Sequence, residues 1–116
     1  MKFTLFYILY LKKYKKFLYN MTTVLASVFD DKVGKYVSNL YDGKLYYSEL
    51  GGLLGNLPKL HPLKITYNGK SVTAYKGDIG SGGPNNPKID LHTNLVKALG
   101  FPPNGLDYVT IGWNLK

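Results

Sequence analysis

The chain contains no cysteine and no arginine. Without cysteine there is neither a disulfide framework nor a thiolate metal site. The fold must therefore rest on an ordinary core rather than on the covalent bridges that supplement many small secreted domains. Without arginine the bidentate contacts to phosphate and guanine are missing. That argues against sequence-specific nucleic-acid reading, even in a chain with a net charge of +8. Long apolar runs are absent too. The run from Phe3 to Leu11 reaches about half the length that a membrane-spanning helix needs. Histidine is scarce, with only His61 and His92, and zinc is not expected.

What remains has the balance of one globular domain: 116 residues, 45% hydrophobic and 19% charged. All 15 basic residues are lysines, and Lys2, Lys12, Lys13, Lys15 and Lys16 lie within the first twenty positions. The rest carries ten lysines against seven acids, or +3, a mildly basic surface. Solvated lysines explain it, with at most a modest preference for anionic polymers such as acidic glycans.

Residues 1–20 (MKFTLFYILYLKKYKKFLYN) form a basic, apolar segment set apart from a domain at 21–116. Three readings stand side by side. It is a poor signal or surface anchor, since lysines rather than small residues follow the apolar run. It is a basic amphipathic helix that touches a membrane. Or it lies upstream of a true start at Met21, the reading favoured because the domain pattern begins there.

From Thr22 the pattern is mostly β. Thr22 to Phe29 is β-branched and apolar, a first strand. Residues 30–45 read as loops, and Tyr46 to Leu50 as a short helical turn stopped by Gly51-Gly52. Leu63 to Tyr67 and Ser71 to Lys76 flank Asn68-Gly69, a strong two-residue hairpin signal. Leu91, Leu95, Val96 and Leu99 recur at helical spacing, and Gly100 is placed to end that helix. Tyr108 to Trp113 is a closing strand with Val109, Ile111 and Trp113 on its core face. One short helix among several strands suggests a small closed barrel, since closure removes sheet edges.

The stretch from Lys76 to Leu91 carries the candidate chemistry. It places Asp78 and Asp90 at either end of a Gly/Pro/Asn loop. Two carboxylates in one cleft push their proton affinities apart, leaving one protonated acid and one charged partner. A bland explanation accompanies each. Asp90 sits where a helix N-cap belongs, a role that contributes about 1 kcal/mol. Asp78 lies in a turn where Asp bonds its own backbone. Gly80-Ser81-Gly82-Gly83 lacks the Gly-Lys-Ser/Thr ending of a phosphate loop and reads as a cleft rim. Tyr75 is on the polar face of its strand and is the better sugar-stacking candidate among the aromatics. His92 is expected in the first turn of the helix, exposed.

With those residues in view, the chain from about Val24 to Ile111 resembles a double-psi β-barrel of the rare lipoprotein A, expansin and barwin type. The resemblance is carried by Leu57-Pro58, the hairpin around Asn68-Gly69, and the turn Gly77-Asp78-Ile79-Gly80. Lys88-Ile89-Asp90-Leu91, the helix ending Ala98-Leu99-Gly100, Gly105 and Tyr108 to Ile111 complete it. It implies a mainly β fold, a small closed six-stranded double-psi barrel with one short helix. It implies a secreted or cell-envelope protein, acting as a monomer without a cofactor, that binds or remodels cell-wall polysaccharide such as peptidoglycan. Asp90 matches the family's key aspartate and Asp78 the acid of the preceding turn. If catalytic in the manner of a lytic transglycosylase, Asp90 is the proton donor, Asp78 its partner and Glu49 a third carboxylate. Tyr75, Tyr47, Lys76 and Asn85 are the expected substrate contacts. Lytic members carry a histidine near the Glu49 position, and this chain has none there. The alternative is a non-catalytic secreted module, a glycan binder or a protease inhibitor on the same barrel.

Overall fold

Alternation from Asn20 to Ala26 decides which side of the first long strand becomes the inside. Asn20, Thr22, Val24 and Ala26 are buried while the residues between them are at least partly exposed, the period-2 signature of a strand with one face on a core. The computed structural model describes residues 5–6, 19–82 and 86–114. The expectation for Asn85 lies outside the described residues, as do those for most of the N-terminal segment.

The chain forms β1 (Leu5–Phe6), β2 (Tyr19–Phe29), β3 (Tyr46–Leu50), β4 (Pro62–Tyr67), β5 (Lys70–Gly80), β6 (Ile89–His92), α1 (Thr93–Leu99) and β7 (Asp107–Asn114). The strand order β2-β6-β3-β5-β4-β7 closes on itself through the β2–β7 pairing. This is the closed six-stranded barrel with one short helix that the sequence suggested. The pairs β2–β6 and β3–β5 are parallel; the other four around the barrel are antiparallel. Among the described residues no helix is long and apolar enough to cross a membrane.

The hairpin forms as expected. Asn68 and Gly69 both take positive φ, at 52° and 83°, as a type I′ turn requires. Gly100 ends α1 at φ 70°, and the Phe101 N–H reaches back to the Val96 carbonyl at 3.1 Å. Val109, Ile111 and Trp113 share the buried face of β7. The core gathers aliphatic side chains from every long strand, among them Val24, Ile65, Ala74, Leu91 and Ile111. Full burial of one such Val, Leu or Ile side chain is worth about 1.5–3 kcal/mol.

Four local expectations are corrected. Tyr46 to Leu50 is not a helical turn but the strand β3, buried at all five positions. A strand covered on both faces loses the alternation by which strands are recognised. The helix does not begin at Leu91; Ile89–His92 is the strand β6, and α1 starts at Thr93 with His92 as a cap residue that makes no side-chain cap bond. His92 is not exposed but wholly buried. The first strand is also longer than Thr22 to Phe29. It starts at Tyr19, which faces Asn114 of β7, and β1 pairs with it at Asn20 and Tyr19.

Candidate functional site

Strand register builds the site. Ser27 on β2 faces Asp90 on β6; Asp90 faces Ser48 on β3; Ser48 faces Asp78 on β5. Residues paired across a sheet point to the same side, so these four form one row across four strands. The neighbouring positions Ile89, Leu91, Tyr47 and Ala26 are core, so the row lies on the outer side of the barrel wall. The two aspartates are separated by two strand spacings, about 9.5 Å of backbone. The pair that the sequence singled out is thus brought together on one surface, with Ser48 between them.

A β-bulge makes this possible. Tyr47 faces Lys76, but the next residue, Ser48, faces Asp78, leaving Gly77 as the extra residue. Tyr75 points outward and Lys76 inward. By plain alternation Asp78, three residues beyond Tyr75, would point inward. The bulge resets the phase and puts Asp78 on the same face as Tyr75. Gly77 fits because a Cβ there would lie 2.8 Å from Leu40 Cδ2 and 2.9 Å from Tyr46 Cδ1.

The two carboxylates have different surroundings. Asp90 is half-buried and accepts a hydrogen bond from the Ser27 hydroxyl. Burial pushes its carboxyl above the ordinary value of 3.8; the Ser27 bond opposes this, and the charges of Asp31 and Asp78 add to it. Asp78 Oδ1 accepts the Lys35 backbone N–H at 2.9 Å. Asp90 is no helix cap, since the cap position belongs to His92. The bland explanation offered by the sequence for this residue is removed.

The segment 30–45 forms one wall. It is held at one end by His92, whose Nε2 lies 2.8 Å from the Asp31 carbonyl oxygen, its ring packed edge-on against Phe29 and Tyr41. Further along, the Tyr36 N–H donates to the Gly77 carbonyl at 3.1 Å. Leu40, fully buried, pins its middle. Beside it opens a cavity of about 640 Å³ lined by Tyr36, Ser38, Lys44, Tyr46, Leu60 and Tyr75. Tyr46 and Tyr75 face each other in register, two positions before Ser48 on β3. The Tyr46 hydroxyl donates to Asp42 Oδ2 at 2.7 Å and is pushed up to about 12 by burial and by that carboxylate, so it stays a neutral donor at any physiological pH. Tyr75, 37% exposed, offers an accessible ring.

The other expected residues lie elsewhere. Glu49 is on the inward side of β3, 1% exposed. Its carboxylate accepts the backbone N–H groups of Leu54, Asn56 and Leu57 at 2.8–2.9 Å and pairs with Lys76 Nζ at 3.0 Å. Lys76 also donates to the Leu57 carbonyl at 2.5 Å. The pair clamps the 51–57 turn onto the barrel end and does not join the aspartate row. Tyr47 is fully buried, with its hydroxyl on the His61 carbonyl at 2.9 Å. Neither histidine faces the row: His92 is buried beneath segment 30–45, and His61 meets Trp113 edge-on with ring centroids 6.4 Å apart. Among the described residues no group of three or more His, Cys, Asp or Glu side chains is placed to hold a metal ion.

Sequence reasoning missed Ser27, Ser48, Asp31 and the Tyr36–Tyr46 wall. Ser27 carried a weak signal, an outward position in an alternating strand. The others depend on register and on the path of a coil, which no local pattern encodes.

No protein-family model matches the sequence, and no curated protein does. Among solved structures, the apo expansin of Clavibacter michiganensis superposes with a TM-score of 0.57 at 14% identity over 83% of this chain. The chain spans half the length of that protein. At that identity the likeness concerns the backbone. The six-stranded barrel bearing the aspartate row has an expansin-like fold.

Proposed function

We propose that this chain binds cell-wall polysaccharide along the outer face of β6, β3 and β5, with Asp78 and Asp90 as its polar centre and Tyr75 as a stacking ring. The observation that carries the reading is the row Ser27–Asp90–Ser48–Asp78 with the Tyr46–Tyr75 pair two positions away. Sugar rings present hydroxyls that carboxylates accept and apolar faces that aromatic rings cover. The expansin likeness supports the same substrate class, and with it an envelope or extracellular setting.

If the chain also cleaves, Asp90 is the proton donor. A half-buried carboxyl whose proton is held above the ordinary range is suited to protonating a glycosidic oxygen, with Asp78 beside it in the row. The absence of a histidine facing the row favours the other reading, a module that binds or loosens without lysis.

The test incubates the full chain with peptidoglycan and with cellulose, following both sedimentation and released sugars. Binding that weakens in Asp78→Asn and Asp90→Asn supports the groove. Release that vanishes in Asp90→Asn adds catalysis, and binding without release leaves the non-catalytic module. Sedimentation with neither polymer overturns the reading.

A further inference from the structure

Among the described residues, four buried side-chain atoms have no hydrogen-bond partner in the protein, and two of them, on Asn20 and His61, belong to residues that meet Trp113. Asn20, with its orphaned Oδ1, faces Trp113 across the β2–β7 pair. Thr22, with its orphaned Oγ1, faces Ile111 two positions on. His61, with its orphaned Nδ1, meets the indole edge-on. A buried polar group left unpaired is costly, so the two beside Trp113 call for a reason.

Two clefts open on either side of this tryptophan. One, of about 540 Å³, is lined by Asn20, Leu53, Leu54, Leu57, Lys88 and Trp113. The other, of about 380 Å³, is lined by His61, Lys64, Thr73 and Trp113 among others. Both fall within the size range of small-molecule sites, roughly 300–1,000 Å³. Asn20 is 4% exposed on the inward side of β2. Ser27 and Asp90 are on the outward side, so these clefts are distinct from the aspartate row. Lys88 makes no ion pair among the described residues, where the only one is Lys76–Glu49.

We infer that the larger cleft is a second ligand site, for a sugar ring that bears a carboxylate. Asn20 Oδ1 is an acceptor only, so its partner must donate, and a sugar hydroxyl does. Leu53, Leu54 and Leu57 offer an apolar wall for the ring face. Lys88 at the wall supplies one ammonium, enough for one carboxylate. An acyl chain would leave Asn20 unpaired. A neutral sugar would leave Lys88 without a counter-charge. The inference does not depend on the aspartate row.

Trp113 is the only tryptophan in the chain, so indole fluorescence reports this place alone. The full chain is titrated with glucuronate, glucose and acetate. Glucuronate is expected to give a saturable change in emission, glucose a weaker one and acetate none. Lys88→Met should weaken glucuronate at least tenfold, as expected when a charged hydrogen-bond partner is removed, and leave glucose unaffected. Asn20→Leu should weaken both sugars, provided circular dichroism shows the barrel folded; if it does not fold, Lys88→Met decides alone. Emission unchanged by all three solutes overturns the site. So does a response to glucuronate that Lys88→Met leaves intact, or one that acetate reproduces.

Discussion

Ser48 faces Asp90 on one side and Asp78 on the other, so a single hydroxyl-bearing residue on the central strand β3 separates the two carboxylates. The charge of Asp78 still reaches Asp90 and helps to hold its proton. Replacing Asp78 with Asn should therefore lower the Asp90 pKa, read directly by carboxyl-carbon NMR titration. An Asp90 titration that does not move, or moves up, would show that the two are not coupled.

Asp90 also makes a statement about stability. Burial raises its carboxyl above 3.8, so the folded protein holds that proton more tightly than the unfolded chain. Its contribution to stability is full below about pH 3.8 and is lost as pH rises through the folded value. The neutral Asp90→Asn variant lacks this loss. Its melting temperature relative to wild type should climb as pH rises from about 4 to 7, while its binding to wall polymer falls. A difference that stays constant with pH would sink the idea.

Gly77 is the hinge of the site. The Gly77→Ala methyl would press on Leu40 and Tyr46 at under 3 Å. Overpacking of this kind costs about 1–3 kcal/mol, measurable as a lower urea midpoint. Because the bulge aims Asp78, polymer binding should fall by more than the stability loss explains.

Glu49→Gln removes the counter-charge of a buried lysine. Losing one partner of a buried pair costs about 3–5 kcal/mol, and the amide cannot accept at all the sites the carboxylate does. Chemical denaturation should show that loss. At a temperature where the variant is folded, glycan binding should be close to wild type, because Glu49 points away from the row.

Tyr75→Ala removes an exposed ring at little structural cost. Aromatic contacts of this sort are worth about 0.5–1.5 kcal/mol, so affinity for wall polymer should fall roughly twofold to tenfold. Sedimentation isotherms measure this, and an unchanged isotherm removes Tyr75 from the groove.

Some of this was legible before the structure. The hairpin at Asn68-Gly69 and the helix end at Gly100 were readable because each needs positive φ, a local demand that only a few residues meet. The β7 face was readable because it alternates. β3 and β6 were not: the first is buried on both faces, and the second is four residues leading straight into a helix. Asp90 was misplaced as a cap for the same reason, since an Asp three residues before α1 looks like the start of that helix.

Composition and local pattern alone determined a cysteine-free, mainly β fold with a closing strand and one short helix, and they singled out Asp78 and Asp90. Tertiary structure decided what those aspartates face. Chain order cannot say that β6 inserts between β2 and β3, or that Gly77 slips the β3–β5 register by one. Those choices belong to long-range pairing, in which strands distant in sequence compete for the same backbone hydrogen bonds and burial of the whole core selects the winner. The same choice set Glu49 inside the barrel and Asp90 outside it, although sheet pairing makes Ser48, the residue next to Glu49, the direct neighbour of Asp90.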